Sequence, residues 1–311
     1  MGLNLPKTGK NFIKKNKINK KKLKISFIGF GKQAKEYAKV FRKLNLFIDE
    51  VFVRNVKNYS KISKDFNVGK VLNINEFKNK EKQILFIFLP WDKIQNFLLE
   101  NLSNNGSYIY TEKPIGLSLK GLKKIINIES KKLDKISVLY NRRFYKTYDY
   151  LKNEFKKNEL IYAYIFIPEK INYVLKNIDK NLKNYIGFHL TTHWLDFFLS
   201  STKVKFTHYK KRNNHFFYSK EKNIKIEIEE NGKSSIQGYF VFKNKILYFD
   251  TLEKLFIFEN GKVSIIKESN SFKPGVKELV ENIFNKKLGF RTFSPPSDFT
   301  QIYKMVSKLK Y

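Results

Sequence analysis

The sequence of 311 residues contains no cysteine. Disulfide bridges, thiolate nucleophiles and cysteine-held zinc or iron–sulfur sites are therefore excluded. Imidazole chemistry is limited to four histidines, His189, His193, His208 and His215. No apolar run approaches the roughly 20 residues that a membrane-spanning helix needs, and the basic N-terminus lacks the apolar stretch of a signal peptide. These absences favour a soluble, cytoplasmic protein without a membrane span.

Acidic residues are also scarce, because 28 Asp and Glu face 62 Lys and Arg, giving a formal net charge of +34. Such an excess indicates either a polyanion-binding protein or a biased base composition. The lysines are dispersed over nearly every segment, and Arg, the preferred reader of guanine, is rare. The abundant Lys, Asn, Ile, Phe and Tyr all have AT-rich codons. We therefore expect no specific nucleic-acid partner, although the positive field would attract anionic cofactors and substrates.

The pattern of the chain predicts a tail and two domains. Residues 1–22 form a basic, flexible tail, because their lysines repel one another and have few apolar neighbours. Residues 23–140 alternate strands and helices, which predicts a parallel sheet. Residues 141–311 carry short, closely spaced strands with turn signals such as Glu230-Asn-Gly232, which predicts an antiparallel sheet.

The predicted elements of the two halves are as follows. In the first half, strands span 24–30, 46–54, 84–89, 107–110 and 136–140, and helices span 32–44, 92–101 with Asp92 as its cap, and a segment opened by Ser118. In the second half, strands span 160–167, 204–209, 223–229, 235–242, 246–251, 255–259 and 263–267, and helices span 188–199, 276–284 and 298–309.

The first chemical motif is Gly29-Phe-Gly31-Lys32-Gln33-Ala34, between an apolar strand and a helix. Gly29 permits the tight turn, Gly31 lets a diphosphate approach the backbone, and Ala34 lets the helix pack closely on the strand. The positive end of the helix dipole favours phosphate at this place. This strand–turn–helix context predicts dinucleotide binding, whereas a glycine turn for packing is the alternative.

The end of the second strand predicts the type of dinucleotide. An acidic residue there usually binds the ribose hydroxyls of NAD, but Val53 is followed by Arg54. Asp49 and Glu50 lie near the strand's start, which is the wrong end. Because an arginine can pair with the 2′-phosphate, the sequence slightly favours NADP over NAD; a solvated surface arginine is the alternative.

Two further motifs carry groups that can move protons. Glu112-Lys113-Pro114 follows a strand directly, so Lys113 lies at the ligand-binding edge of the sheet, where desolvation would lower its pKa. His189, His193 and Asp196 share one face of a helix, so His193 can accept a proton and Asp196 can orient it. Zinc binding by the two histidines lacks a clear further ligand, so we expect no metal; a structural histidine pair is another alternative.

Three motifs occur in the order and spacing of a known family: Gly29-x-Gly31-x-x-Ala34, Glu112-Lys113-Pro114 and His193-x-x-Asp196. From residue 23 onward the chain resembles the glucose–fructose oxidoreductase and inositol dehydrogenase family, Gfo/Idh/MocA. Asn141-Arg142-Arg143-Phe144 is similar to the segment that joins the two domains of that family. The resemblance implies an α/β fold, with an N-terminal Rossmann dinucleotide-binding domain and a C-terminal α/β domain containing an open, mostly antiparallel sheet.

The resemblance also implies an activity, the transfer of a hydride between a nicotinamide and a sugar, polyol or nucleotide-linked sugar. Lys113 matches the catalytic lysine, His193 the histidine near the reacting hydroxyl, and Asp196 the acid that follows. The Lys113–Pro114 bond is expected to be cis, as in relatives. The expected cofactor contacts are Gly29, Gly31, Lys32, Gln33, Ala34, Arg54, Pro90, Glu112 and Lys113. The expected substrate contacts are Asp196, His189, Arg142 and Arg143, and the two arginines could instead tie the domains together.

The chain departs from the family at two positions. His189 occupies the place where many relatives carry aspartate, and Trp91 the place where many carry asparagine. Two alternatives stay open: a reductase of a C=N or linear tetrapyrrole substrate on the same fold, and a non-catalytic relative that binds a polyanion or another ligand. An exposed face of the second sheet would favour a homodimer or homotetramer.

Overall fold

The computed structural model describes residues 23–59, 62–79, 81–176, 178–200, 202, 204–269, 271–285 and 293–309. The predicted basic tail, residues 1–22, lies outside them. A parallel sheet begins the described chain, in the order β3-β2-β1-β4-β5-β6. Its strands are β1 Lys24–Ile28, β2 Ile48–Val53, β3 Val68–Asn73, β4 Gln83–Ile87, β5 Tyr108–Thr111 and β6 Lys135–Val138. This parallel sheet with its helices confirms the predicted Rossmann-type half.

The helices around the first sheet are α1 Lys32–Lys43, α2 Ile62–Phe66, α3 Trp91–Asn101 and α4 Leu119–Glu129. Every residue of β4 is buried, as a strand covered on both faces requires. Ser118 caps α4 by accepting a hydrogen bond from the Gly121 N–H at 3.0 Å, as predicted. The predicted cap of α3 was wrong: Pro90 precedes the helix and Asp92 lies in its first turn, where a negative charge still favours the dipole.

The second sheet has the order β14-β13-β12-β11-β7-β10-β9-β8 in the described chain. Its strands are β7 Leu160–Glu169, β8 Thr207–Lys211, β9 Asn214–Ser219, β10 Ile224–Glu230, β11 Gln237–Phe242, β12 Lys245–Thr251, β13 Lys254–Glu259 and β14 Lys262–Lys267. Only the β7–β10 pair is parallel among the pairings of these strands, which confirms a mostly antiparallel sheet.

The hairpin of β8 and β9 differs from the prediction. The strand expected over 204–209 runs instead over Thr207–Lys211, and β9 was not predicted. Arg212 opens the turn between the two strands with φ of 54°. Because this left-handed position is usually occupied by glycine or asparagine, an arginine there hides the turn in the sequence.

The remaining helices are α5 Lys146–Lys157, α6 Ile171–Leu175, α7 Ile186–Leu199, α8 Val276–Ile283 and α9 Thr300–Val306. Short 3₁₀ turns span Val56–Tyr59, Ile74–Glu76, Asn141–Phe144, Lys180–Tyr185 and Pro296–Phe299. α5 was not predicted, whereas α7 and α8 match their predicted positions closely. None of the helices in the described part of the chain has the length and apolar content that crossing a membrane requires.

The outer face of the second sheet exposes apolar side chains, the feature on which the expected self-association depends. The most exposed of these are Tyr209, Ile246, Phe258, Val263 and Ile265. The oligomeric state stays a prediction.

The chain returns to the first sheet near its C-terminal end. α8 packs on α1, and its buried residues Val276, Leu279, Val280 and Ile283 belong to the same hydrophobic core as Phe41 and Phe86. The first half therefore includes a helix that is remote from it in sequence.

Truncation of this returning helix is predicted to destabilise the first core. Leu279 is fully buried, so Leu279→Ala should lower the free energy of unfolding by about 2–5 kcal/mol, through lost burial and an unfilled cavity. The measurement is urea unfolding followed by tryptophan fluorescence, with Lys277→Ala on the exposed face of α8 as the control. A loss below about 1 kcal/mol would show that α8 contributes little to that core.

Candidate active site

Gly29 makes the tight turn after β1. Its φ is +87°, and its N–H donates to the Phe52 carbonyl at 2.8 Å. A Cβ at this position would lie 2.7 Å from the Phe88 carbonyl oxygen, so both the backbone conformation and the space require glycine. The turn thus fixes the direction in which α1 leaves the sheet.

Gly31 begins α1 and is open to solvent. A Cβ on it would meet no atom within 4 Å, and its φ of −78° is accessible to any residue. No side chain caps this helix end, and the first turn has no acidic residue. The first N–H groups of a helix have no intrahelical partner, so this open end suits a diphosphate. Ala34 is fully buried beneath it, where a small residue allows close packing.

A lysine from the returning segment reaches the start of α1. Lys273 Nζ donates to Gln33 Oε1 at 2.7 Å, and Gln33 also binds the Glu112 carboxylate. Burial raises the pKa of Glu112, and the charges of Lys273 and Lys113 oppose that shift. Sequence reasoning missed Lys273, because it stands 240 positions after its partner and among many other lysines.

The predicted cofactor residues at the other strand ends are exposed. Arg54 directly follows β2, and Pro90 precedes α3. Asp49 accepts from the Ile25 N–H at 2.8 Å, and Glu50 pairs with Lys24 at 2.5 Å, so both acids lie at the opposite end of the sheet. The carboxyl end of β2 therefore presents an arginine, and Lys32 is exposed in the first turn of α1.

Lys113 follows β5, at a cis bond to Pro114. Its ammonium donates to the His189 carbonyl at 2.5 Å, which joins the first sheet to α7. Burial lowers the pKa of Lys113 to about 8, while Glu112 and Glu169 raise it and Arg142 and Lys273 lower it further. A lysine with this pKa exchanges its proton near neutral pH, as the desolvation argument predicted.

Both histidines of α7 face Lys113 and are neutral at pH 7. Burial and the Lys113 charge lower the pKa of His189 to about 3. Burial and then the Arg142 and Lys113 charges hold the pKa of His193 well below its usual value. The His189 ring stacks on Trp91, with centroids 4.9 Å apart. The two departures from the family pattern therefore contact each other.

Asp196 and Arg143 form a buried ion pair beside the site. Arg143 Nη2 lies 2.6 Å from Asp196 Oδ1, and Arg143 Nη1 contacts Ser294 and Asp298. The Asp196 carboxylate is thus paired with Arg143 rather than with His193. This pair connects the domain junction, α7 and the C-terminal segment, so it stabilises the fold rather than presenting a free charge to a ligand.

Arg142 lies on the other side of the junction, in the wall of the site. Its guanidinium carbon lies 3.7 Å from the centroid of the Trp194 ring, and Tyr145 binds the guanidinium. Burial lowers the pKa of Arg142 to about 10, and the negative groups around it oppose that shift. Arg142 thus stays charged at neutral pH.

Glu169 is a carboxylate of the site that sequence reasoning missed. It is 2 % exposed, ends β7, and accepts hydrogen bonds from Thr191 at 2.8 Å and from Trp194. Burial raises the pKa of Glu169 to about 7 against the effects of these bonds and of Lys113 and Arg142. The sequence did contain a signal for Glu169. Every second residue of β7 from Ala163 onward is buried, and Glu169 continues the series of Ala163, Ile165 and Ile167.

Unpaired polar atoms concentrate at this place. Six buried side-chain atoms of the described residues have no hydrogen-bond partner: Tyr37 Oη, Glu112 Oε1, Arg142 Nη1, His189 Nδ1, His193 Nδ1 and Ser219 Oγ. All except the Ser219 atom belong to groups that interact electrostatically around Glu112 and Lys113. Because each unsatisfied group costs about 1–3 kcal/mol, the cluster indicates a ligand-binding site. No group of three or more candidate metal ligands occurs in the described chain.

Comparisons with known proteins agree with this architecture. Residues 23–140 match the family model described as "Oxidoreductase family, NAD-binding Rossmann fold", GFO_IDH_MocA. No curated protein sequence matches the chain.

Solved structures with the same fold cover almost the whole chain. A dehydrogenase from Clostridium difficile is 18% identical with a TM-score of 0.69, covering 93% of this chain and 98% of that one. For UDP-N-acetylglucosamine 3-dehydrogenase from Acidithiobacillus ferrooxidans, the identity is 12%, the TM-score 0.72 and the coverages 92% and 96%. For scyllo-inositol dehydrogenase from Lactobacillus casei, crystallised with NAD(H) and scyllo-inositol, they are 14%, 0.68, 93% and 96%.

The open space at Gly31 yields a prediction that separates binding from folding. Gly31→Val should leave the melting temperature nearly unchanged, because a Cβ at this position has no protein atom within 4 Å. It should lower the affinity for NAD(H) or NADP(H) at least 10-fold, because it occupies the place of the diphosphate. Calorimetric titration with each dinucleotide measures this effect. Gly29→Val is the matched control and should destabilise the fold. Undiminished dinucleotide affinity in Gly31→Val would contradict the assignment.

Proposed function

We propose that this chain, whose residues 23–140 match the Gfo/Idh/MocA family model, belongs to that oxidoreductase family and transfers a hydride between NAD(P) and a sugar, polyol or nucleotide-linked sugar. The cluster of unpaired polar atoms around Lys113 carries this proposal. This cluster lies beside the open helix end at Gly31. A dinucleotide and a substrate bound side by side would therefore supply partners for both the helix end and the unpaired atoms. Relatives of the same fold act on UDP-N-acetylglucosamine or hold scyllo-inositol, which supports a polyhydroxylated substrate.

Lys113 is the proposed proton carrier of the reaction. A bound nicotinamide would accept or return the hydride at the reacting carbon. In oxidation, Lys113 Nζ takes the proton of the hydroxyl group, and in reduction it gives that proton to the carbonyl oxygen. A pKa near the working pH suits this task, and that of Lys113 is about 8. His193, whose pKa is far lower, would orient the hydroxyl as a neutral hydrogen-bonding group.

The remaining predicted residues divide between the cofactor and the substrate. Gly29, Gly31, Lys32 and Gln33 would surround the diphosphate, with Ala34 supporting the turn. His189 and Arg142 would face the substrate. Arg143 and Asp196 are paired with each other, so they would support the substrate-binding residues of α7 without contacting the substrate.

Arg54 favours NADP in this proposal. It is exposed at the carboxyl end of β2, where the ribose of a dinucleotide approaches the sheet. Both acids of β2 are bound at the far end, so they are not placed to hold the ribose hydroxyls. A guanidinium pairs well with a 2′-phosphate.

Activity with a substrate panel tests the proposed function. Free polyols and nucleotide sugars, each with NAD(H) and with NADP(H), should include a pair that changes the nicotinamide absorbance. Lys113→Met should lower kcat for that pair by about 10²–10⁴-fold, the contribution of a general acid–base group. Lys146→Met, an exposed lysine at the start of α5, is the control. Tight dinucleotide binding without turnover of any substrate would instead favour a non-catalytic relative, and full activity of Lys113→Met would remove Lys113 from the mechanism.

A second test concerns Glu169 and the proton of Lys113. The negative charge of Glu169 raises the pKa of Lys113, so Glu169→Gln should lower that pKa further below about 8. Oxidation needs the neutral amine, so the rising limb of kcat against pH should move to lower pH in this variant. Glu154→Gln is the matched control, because Glu154 is also buried but binds Asn158 and Lys245 away from the site. Superimposable pH profiles of Glu169→Gln and the native protein would show that Glu169 does not act on Lys113.

A further inference from the structure

Arg142 is a buried cation with an unused donor in the wall of the site. One face of its guanidinium lies on the Trp194 ring, Tyr145 binds one side, and Nη1 is buried without a partner. Leaving a charged donor unpaired in the interior is costly, so the arrangement calls for an acceptor that arrives with a ligand.

The neighbouring Arg143 has the hydrogen-bond partners expected of an arginine with a structural role. Its guanidinium donates to Asp196, Ser294 and Asp298. Arg142 and Arg143 are adjacent in one 3₁₀ turn, yet only Arg142 has a buried donor without a partner. Anchoring the domain junction is therefore the task of Arg143.

The charges around Arg142 leave room for one negative group. Lys113, Arg142 and Lys273 bring three positive charges together. The acids around them are Glu112, Glu169 and Glu253. Burial raises the pKa of Glu112 and of Glu169, so their negative charges compensate only in part, and Glu253 also accepts a hydrogen bond from Tyr145. His189 and His193 are neutral. A substrate with one carboxylate would bring this group of charges closer to neutrality.

We propose that the substrate is a sugar acid, whose carboxylate binds Arg142 Nη1 while its reacting hydroxyl lies at Lys113. This inference rests on the proposed function and narrows its substrate class. A carboxylate fits better than a phosphate, because Glu169 lies next to the same guanidinium and would repel a second negative charge. Planar carboxylates also match the geometry of a guanidinium.

Matched substrate pairs test the proposal on the native protein. Glucuronate is compared with glucose, and UDP-glucuronate with UDP-glucose, with glucose 6-phosphate as the phosphate arm, using the dinucleotide that binds tightest. In at least one pair, kcat/KM should be at least about 100-fold higher for the acid, because the neutral partner leaves the arginine unpaired. Titration of the enzyme–dinucleotide complex should give the same order of affinities.

Variants assign that preference to the arginine. Arg142→Gln should lower kcat/KM for the acid at least about 100-fold and abolish the preference for the acid over its neutral partner. For Arg142→Lys, kcat/KM for the acid should lie between the values of the native protein and Arg142→Gln, since lysine keeps the positive charge but lacks the planar guanidinium. Arg212→Asn, in the exposed β8–β9 turn, is the control for loss of a positive charge and should keep the native ratio. Melting temperatures identify any variant that fails to fold.

The outcomes separate the substrate class from the reaction. Turnover of a neutral sugar equal to or better than that of its acid would overturn the sugar-acid proposal while leaving the oxidoreductase intact. A preference for glucose 6-phosphate would overturn the carboxylate assignment. An acid preference that survives in Arg142→Gln would exclude Arg142 as its cause. Absence of both turnover and binding across all pairs would count against the proposed function itself, and the inference would fall with it.

Discussion

The hydrogen bond between the Lys113 ammonium and the His189 carbonyl is the contact on which the site depends. It joins the end of a strand in the first sheet to the helix that covers the second sheet, across 76 positions of sequence. A buried ammonium is expensive, and this one is retained because a carbonyl, Glu112 and Glu169 together offset its desolvation. The same desolvation lowers the pKa of Lys113 to about 8, so the burial that is unfavourable for the ammonium also allows it to exchange a proton near neutral pH.

The topology explains why the proposed nucleotide site and the proposed proton carrier lie together. In a parallel sheet all strands point the same way, so the residues after β1, β2, β4 and β5 gather at one edge. Gly31, Arg54, Trp91 and Lys113 occupy those four positions. The second sheet contributes from the facing side, through the end of β7 and through α7, which carries both histidines. The candidate site thus receives groups from both halves of the molecule.

The features that could be predicted from the sequence were those that depend on a few neighbouring residues. The glycine turn, the apolar run of β4 and the cap at Ser118 each depend on a few adjacent residues, and they were correctly placed. α5 was missed because Thr147 and Glu154 are among the residues it buries, which masks its apolar face. Glu169 was missed because the strand was predicted to end at residue 167, whereas β7 continues through Pro168 to Glu169. Lys273 and the Arg143–Asp196 pair depend on contacts between segments far apart in sequence, and no local pattern reveals those.

The position of Lys273 and α8 has a consequence for how the protein is made. The segment that finishes the first hydrophobic core and touches Gln33 is synthesised only after the entire second sheet. A nascent chain on the ribosome therefore carries a first half with a bare flank over α1 until the second sheet and α8 have been synthesised. Exposed apolar surface of that kind attracts chaperones and promotes self-association. This architecture therefore favours folding of the two halves as one cooperative event once α8 has been synthesised, rather than folding of the first half before the second.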